Sequence, residues 1–245
     1  MDRQAKIAQA ALVGAALLLA TACAGHNSKA AKPTAHAGTG TTAAKADSSG
    51  RNDSLTLTHK QLESAAITSS DAPGWEVSVP KSASGPIGGQ KMVADKAVCQ
   101  PVADALSETG AVKAVAVVDR TAVAKDSSGV MTRIRLASYS GGDANKVMAG
   151  LGGAASDCKG FTGTGGGGKQ HVGVAKYDGY LMAQSTVTLR LTMKVGQQVL
   201  PVYLDVGLVG STVEYFLTFN VTGDDPGTGS TTAQVQQLVK LSQTH

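Results

Sequence analysis

The residues of this chain with the most chemistry in them are a glycine run ending in lysine, three cysteines and a few histidines. Gly163-Thr164-Gly165-Gly166-Gly167-Gly168-Lys169 has the spacing of a phosphate-binding loop, in which glycine N–H groups and a lysine cradle phosphates. Gln170 stands where such a loop needs a magnesium-binding Ser or Thr, and Val172 to Ala175 reads as a strand rather than as the helix whose N-terminus would face the phosphates. The run is therefore expected to be a hairpin or a helix-to-strand connector. His59 and His171 are the histidines inside the folded part, and neither sits in a zinc-binding signature. No G-x-S-x-G elbow and no H-E-x-x-H is present, so the sequence offers no catalytic residue, no metal site and no cofactor site. Asp205 and Glu214, on adjacent strands, are the carboxylate couple that acid/base chemistry would use; cross-strand surface polarity is the commoner reason for such a pair.

The cysteines speak to address. Arg3 and Lys6 precede an apolar run from Ile7 to Ala20, too short to span a bilayer comfortably, and Ala20-Thr21-Ala22 leads into Cys23. Residues 1–22 read as a lipoprotein-type export signal, with Cys23 as the lipidated N-terminal residue that holds the protein to the membrane. The small-residue stretch resembles a bacterial lipobox, except that Leu19 stands one place earlier than the usual leucine. An ordinary secretory signal cut after Ala22 or Ala24 is the other reading, and would leave the protein secreted. Residues 23–54 are rich in Ala, Gly, Ser, Thr and Lys with almost no large apolar side chain, a composition that cannot offset the entropy of ordering, so they read as a flexible tether. Residues 55–245 remain for a single domain. Cys99 and Cys158 are its two cysteines, and in an exported protein they are expected to form one disulfide.

The formal charge of +4 is modest, and no Lys/Arg cluster is interleaved with aromatics, so nucleic acid is excluded as a partner. Within the domain, Arg133 and Arg135 alternate along one face of a strand and could hold an anion. Tyr139 follows them, and Trp75 is the only tryptophan. These four are the weak candidates for ligand contact.

Positioning them falls to a sheet. Val187, Leu189, Leu191, Met193 and Val195 alternate with Thr186, Thr188, Arg190, Thr192 and Lys194, the period of a strand with one buried face. Short Gly-containing loops join it to Val199–Val209 and Val213–Val221, giving an antiparallel meander. Trp75 to Val79, a hairpin of Val112–Lys125 and Val130–Ser138, and His171–Tyr177 supply further strands. Helices are expected after a Thr58/Gln61 capping box, over 96–107 with Asp95 as cap, over 144–156 capped by Ser140 or Asp143, and from Ser230 onward. The fold class is α+β: a twisted antiparallel sheet with helices packed on one side and one disulfide. The stapled helix pair and the C-terminal helix are expected to cover the Val187–Val195 face.

LESAAITSSDAPGW, Leu62 to Trp75, and RLASYSGGDANKVMAGLGGAASDC, Arg135 to Cys158, resemble segments of the PknH-like extracellular sensor domain of actinobacterial lipoproteins. This chain carries two domain cysteines where kinase-attached members usually have four. The resemblance implies helices against a twisted antiparallel sheet, a cleft that binds a ligand, and no enzymatic activity. The expectation is a membrane-anchored, extracytoplasmic lipoprotein with a non-enzymatic ligand-binding or sensor-type domain, contacting an unknown small molecule, lipid or envelope protein. A lipid or glycolipid carrier and a structural or protein-interaction lipoprotein are the alternatives.

Overall fold

The computed structural model describes residues 56–81, 91–126, 129–166, 168–179, 181–195, 198–220 and 229–243. The signal, Cys23 and the tether lie outside the described residues.

Helix α1 (His59–Ala65) begins with the capping box read from the sequence: Thr58 accepts from the Gln61 N–H while the Gln61 side chain accepts from the Thr58 N–H. Its Leu62 and Ala65 are buried, and an Arg120–Glu63 pair at 2.5 Å ties it to the sheet. Strands β1 (Trp75–Ser78) and β2 (Val93–Ala94) follow. A 3-10 turn over Ala97–Cys99 then runs into α2 (Gln100–Ser107). Pro101 explains the split, since its missing N–H is harmless only in a first helical turn. Asp95 is not the cap expected. Its carboxylate accepts from the Thr162 N–H at 2.9 Å and fastens the end of β2 to the neighbouring strand.

The hairpin is β3 (Ala116–Ala124) and β4 (Val130–Ser138), with residues 112–115 outside the strand. Helix α3 (Asp143–Asp157) starts at Gly142 without a side-chain cap, so neither Ser140 nor Asp143 takes that role; Asp143 instead places its charge in the first turn and pairs with Lys146 at 2.7 Å. The glycine run folds as a hairpin of β5 (Gly160–Gly165) and β6 (Gly168–Lys176). A Cβ on Gly163 would stand 2.5 Å from the Met92 sulfur, so glycine here lets Met92 lie against the strand. Strands β7 (Ser185–Val195), β8 (Gln198–Val209) and β9 (Thr212–Asn220) form the meander, and α4 (Gly229–Gln243) closes the chain.

Among the described residues, nine strands join one antiparallel sheet in the order β1-β3-β4-β9-β8-β7-β6-β5-β2. Consecutive strands pair from β5 to β9, and the β3–β4 hairpin adds itself to β9, with Ile134 opposite Phe216 and Ala137 opposite Val213. Two cores result. Helices α2 and α3 pack on Leu189, Leu191, Met193, Val202, Leu204, Val206, Val213 and Leu217, as expected for the stapled pair. The C-terminal helix does not join them. Its Val235 and Leu238 belong with α1 to a second core over Val118, Ile134, Leu136 and Phe216, residues of the alternate parity. The physical reason lies in β4 and β9, which are buried at nearly every position and so need cover on both faces. Gln234 locks α4 to α1, its amide accepting from the Ile67 N–H and donating to the Ala65 carbonyl, each at 2.9 Å.

Cys99 and Cys158 form the disulfide, their Cα atoms 5.2 Å apart across 59 residues of sequence. It binds the entrance of α2 to the end of α3. Closing a loop of that length is worth roughly 4 kcal/mol in the chain-entropy account. The Cys99→Ala/Cys158→Ala chain is therefore expected to lose about that much unfolding free energy, read from urea denaturation, with the native circular dichroism spectrum retained below its lowered midpoint.

Candidate cleft between the stapled helices and the sheet

Helix α2 ends on Glu108, a non-glycine residue in the left-handed conformation with φ 57°. That turn points the Glu108 carboxylate down onto the sheet, where two arginines of β4 meet it. Oε1 accepts from Arg133 Nε at 2.5 Å, and Oε2 pairs with Arg135 Nη2 at 2.6 Å. Arg135 also donates through Nε and Nη2 to the two oxygens of Asp119, at 2.8 and 3.1 Å, and through Nη1 to the Glu108 carbonyl at 2.9 Å. Asp119 is placed by register, opposite Arg135 on β3. The four side chains are only 8 to 14% exposed, so two positive and two negative charges cancel in a largely dry setting. Burial raises the Glu108 carboxyl above its ordinary value against the pull of both arginines. Burial opposes the Arg135 charge, but the bond to Asp119 and the charge of Glu108 prevail and hold the guanidinium above its ordinary value.

This network forms one end of a cavity of about 470 Å³ between α2, α3 and the sheet. Its apolar walls come from Val112, Val117, Ala137, Val147 and Leu151, with the Pro101 ring packed against Gly150 between the two helices. Arg135, Tyr139 and Tyr215 form the polar floor, and Lys113 and Lys146 also line the cavity. The two phenol oxygens are 3.2 Å apart and hydrogen-bonded. Burial raises both phenols, Tyr215 further because Tyr139 lies beside it, so both remain neutral at any physiological pH.

Of the four residues singled out from sequence, Arg135 and Tyr139 line the cavity together. Arg133 does not line it and acts from behind, through Glu108. Trp75 sits on β1 against the second core, apart from the other three. Glu108, Asp119 and Tyr215 carried no signal in isolation; the hairpin register would have found Asp119, and Tyr215 is the register partner of Arg135 on β9. Among the described residues no cluster of three His, Cys, Asp or Glu could hold a metal. Among the described residues the lining holds no Ser, His or Cys, while Asp104, Glu108 and Thr109 contribute to it.

The suspected acid/base couple lies elsewhere. Asp205 accepts a hydrogen bond from the Tyr177 hydroxyl. Glu214 is opposite Gly207 and Leu136, fully buried, with no partner for either oxygen among the described residues. Burial alone pushes its carboxyl up to about 8.

No protein-family model matches this chain, and no curated protein matches it. Among solved structures it is similar to the extracellular domain of PknH from Mycobacterium tuberculosis, at 11% identity and a TM-score of 0.49, over 78% of this chain and 99% of that one. It is also similar to an uncharacterized protein (Rv0999 ortholog) from Mycobacterium smegmatis, at 11% identity and a TM-score of 0.41, over 77% and 99%.

Two variants test the electrostatics. Glu108→Ala leaves two buried guanidinium groups short of a counter-charge and is expected to cost roughly 3–5 kcal/mol, while Glu108→Ala/Arg133→Met recovers part of it, as a double-mutant cycle would read. For Glu214, the folded chain keeps the proton up to about pH 8 whereas the unfolded chain releases it near 4.5, so stability present at pH 4 declines as pH rises to 8. Glu214→Gln is expected to flatten that decline, which is of the order of several kcal/mol, in chemical denaturation run across the same pH range.

Proposed function

We propose that this protein is an extracytoplasmic, membrane-anchored lipoprotein whose domain binds a small uncharged amphiphile in the cleft between α2, α3 and the sheet, as a binding or sensor-type module without catalysis. The observation that carries the reading is the pairing of an apolar wall with a polar floor whose charges are already cancelled. Val112, Val117, Val147 and Leu151 favour an apolar body, and Tyr139, Tyr215 and Arg135 offer hydrogen bonds to a polar end. Arg135 is committed to Asp119 and Glu108, so an anionic head would compete with two resident carboxylates and gain little. A hydroxyl, carbonyl or amide meets the phenols without that competition. The volume, about 470 Å³, lies in the range of ordinary small-ligand pockets, which favours this reading over carriage of a whole multi-chain glycolipid.

Export and anchoring rest on the sequence, through Arg3, Lys6, the Ile7–Ala20 run and Cys23. Among the described residues no helix is long and apolar enough to cross a membrane. Radiolabelled fatty-acid incorporation, present in the parent and absent in Cys23→Ala, tests the anchor.

The cleft is tested by native mass spectrometry of protein isolated from its own envelope, followed by organic extraction. A bound small molecule is expected in the parent and lost in Val147→Trp, which fills the cleft from α3. Tyr215→Phe, which removes one floor hydroxyl, is expected to weaken retention about tenfold. Parent protein that stays empty against a panel of neutral envelope metabolites would overturn the reading.

A further inference from the structure

The half of the sheet farthest from the β3–β4 hairpin has a surface that α2 and α3 leave untouched. Directly paired residues on neighbouring strands point to the same side, and successive residues alternate. Thr162 pairs with His171 and Thr164 with Lys169. Ala175 pairs with Arg190 and Gly173 with Thr192. Lys194 pairs with Val199. All of these therefore occupy the face opposite Val172, Val174, Leu189, Leu191 and Met193, which lie in the core under α2 and α3.

Lys169, His171, Arg190, Thr192 and Lys194 are exposed, and Val199 is 60% exposed. Gly173 and Ala175 between them have almost no side chain, so the cations stand above a low floor. Strands β5, β6 and β7 contain no Asp or Glu at all. Among the described residues Lys169, Arg190 and Lys194 have neither an ion pair nor a hydrogen-bond partner for their side chains. The carboxylate that β8 adds to this face, Asp205, is engaged by the Tyr177 hydroxyl.

The spacing says what kind of anion fits. Arg190 and Lys194 are separated by about 14 Å along one strand at roughly 3.4 Å per residue, and no pair in the register sets two of these cations opposite each other. A single phosphate would meet them one at a time. An extended anionic surface meets all of them together, and the exposed Val199 beside Lys194 can touch its apolar boundary. We propose that this open face of β5 to β8 docks on a membrane surface rich in anionic phospholipid headgroups. The proposal is independent of the cleft, whose Arg135, Ala137 and Tyr215 belong to the opposite face, so both can be occupied at once. A lipid anchor at Cys23 would bring the face within reach of such a surface, but its charge does not depend on that anchor.

Sedimentation with vesicles tests it, using the full Cys23→Ala chain isolated after export so that no acyl group carries the binding. Vesicles of mixed phosphatidylglycerol and phosphatidylcholine are compared with pure phosphatidylcholine at low salt. Each cation near an anionic surface contributes about fivefold in partitioning, so Lys169→Gln/Arg190→Gln/Lys194→Gln is expected to weaken attachment to the anionic vesicles on the order of a hundredfold. It should leave attachment to phosphatidylcholine unchanged. Lys159→Gln/Lys176→Gln, two lysines that reach Ser156 on α3, removes charge on the covered side and is expected to change attachment by less than about twofold. These substitutions are at exposed positions, and an unchanged thermal midpoint confirms folded protein. Equal attachment to both vesicle types, an unaffected triple variant, or an equal loss in the Lys159/Lys176 control would each overturn the proposal. Recognition of an acidic protein instead of a bilayer would appear as the first of these.

Discussion

The ion network centred on Glu108 is the interaction on which the geometry of the cleft depends. Two arginines stand on the buried side of β4, and in a dry setting each needs a counter-charge and a donor-by-donor match. Asp119 satisfies part of Arg135 from within the sheet, yet Arg133 and the rest of Arg135 require a carboxylate from outside it. Among the described residues the end of α2 supplies it. The left-handed turn at Glu108 follows from that demand: the residue adopts a backbone conformation that favours glycine, because a glycine there would have no carboxylate to offer. The helix end is thus held close to the sheet by charge at one edge, and the space beside it stays open as the cleft.

The other face obeys a different constraint. Strands β4 and β9 are apolar or buried on both sides, so a second helical layer has to form. That layer is held by Gln234, bonded through both its amide oxygen and its amide nitrogen, and by Arg120–Glu63, but it also encloses Glu214, whose carboxyl receives no hydrogen bond among the described residues. The contrast with Glu108 is instructive. Burial acts on both carboxyls in the same direction, and the arginines around Glu108 oppose it, whereas no described residue does so around Glu214.

Much of this fold was legible in the residues. The alternation of Val187 to Met193 gave an interior strand of the sheet, Thr58 and Gln61 gave the first cap, and the even pair of domain cysteines gave the disulfide. What was hidden depended on partners distant in sequence. Arg133 and Arg135 were visible as neighbours on one face, but whether that face was wet or dry depended on α2, and an arginine pair reads identically in both cases. Tyr215 looked like any residue of a two-sided strand until register set it opposite Arg135. β5 was obscured by its glycines, which lower strand propensity while admitting Met92. The C-terminal helix was assigned to the wrong core because the period of β7 exposes one apolar face, whereas the need for a second layer is written in β4 and β9.

Helix α2 is fixed at both ends by different physics. At its entrance Cys99 is covalently joined to the end of α3, and at its exit Glu108 is held by two guanidinium groups. A helix of eight residues so constrained has little freedom to move as a body. The cleft is therefore preorganised along its α2 side, which would limit the ordering cost for the ligand proposed to bind there and sharpen selection by shape. Any response to the proposed ligand would have to come from elsewhere in the wall. Residues 109–115 are the natural element, because they connect α2 to β3, contribute Val112 and Ala114 to the cavity, and belong to no helix or strand. Val115 donates its N–H to the Ser138 carbonyl at 2.8 Å, so displacement of this segment would be felt at the end of β4, directly beside Tyr139.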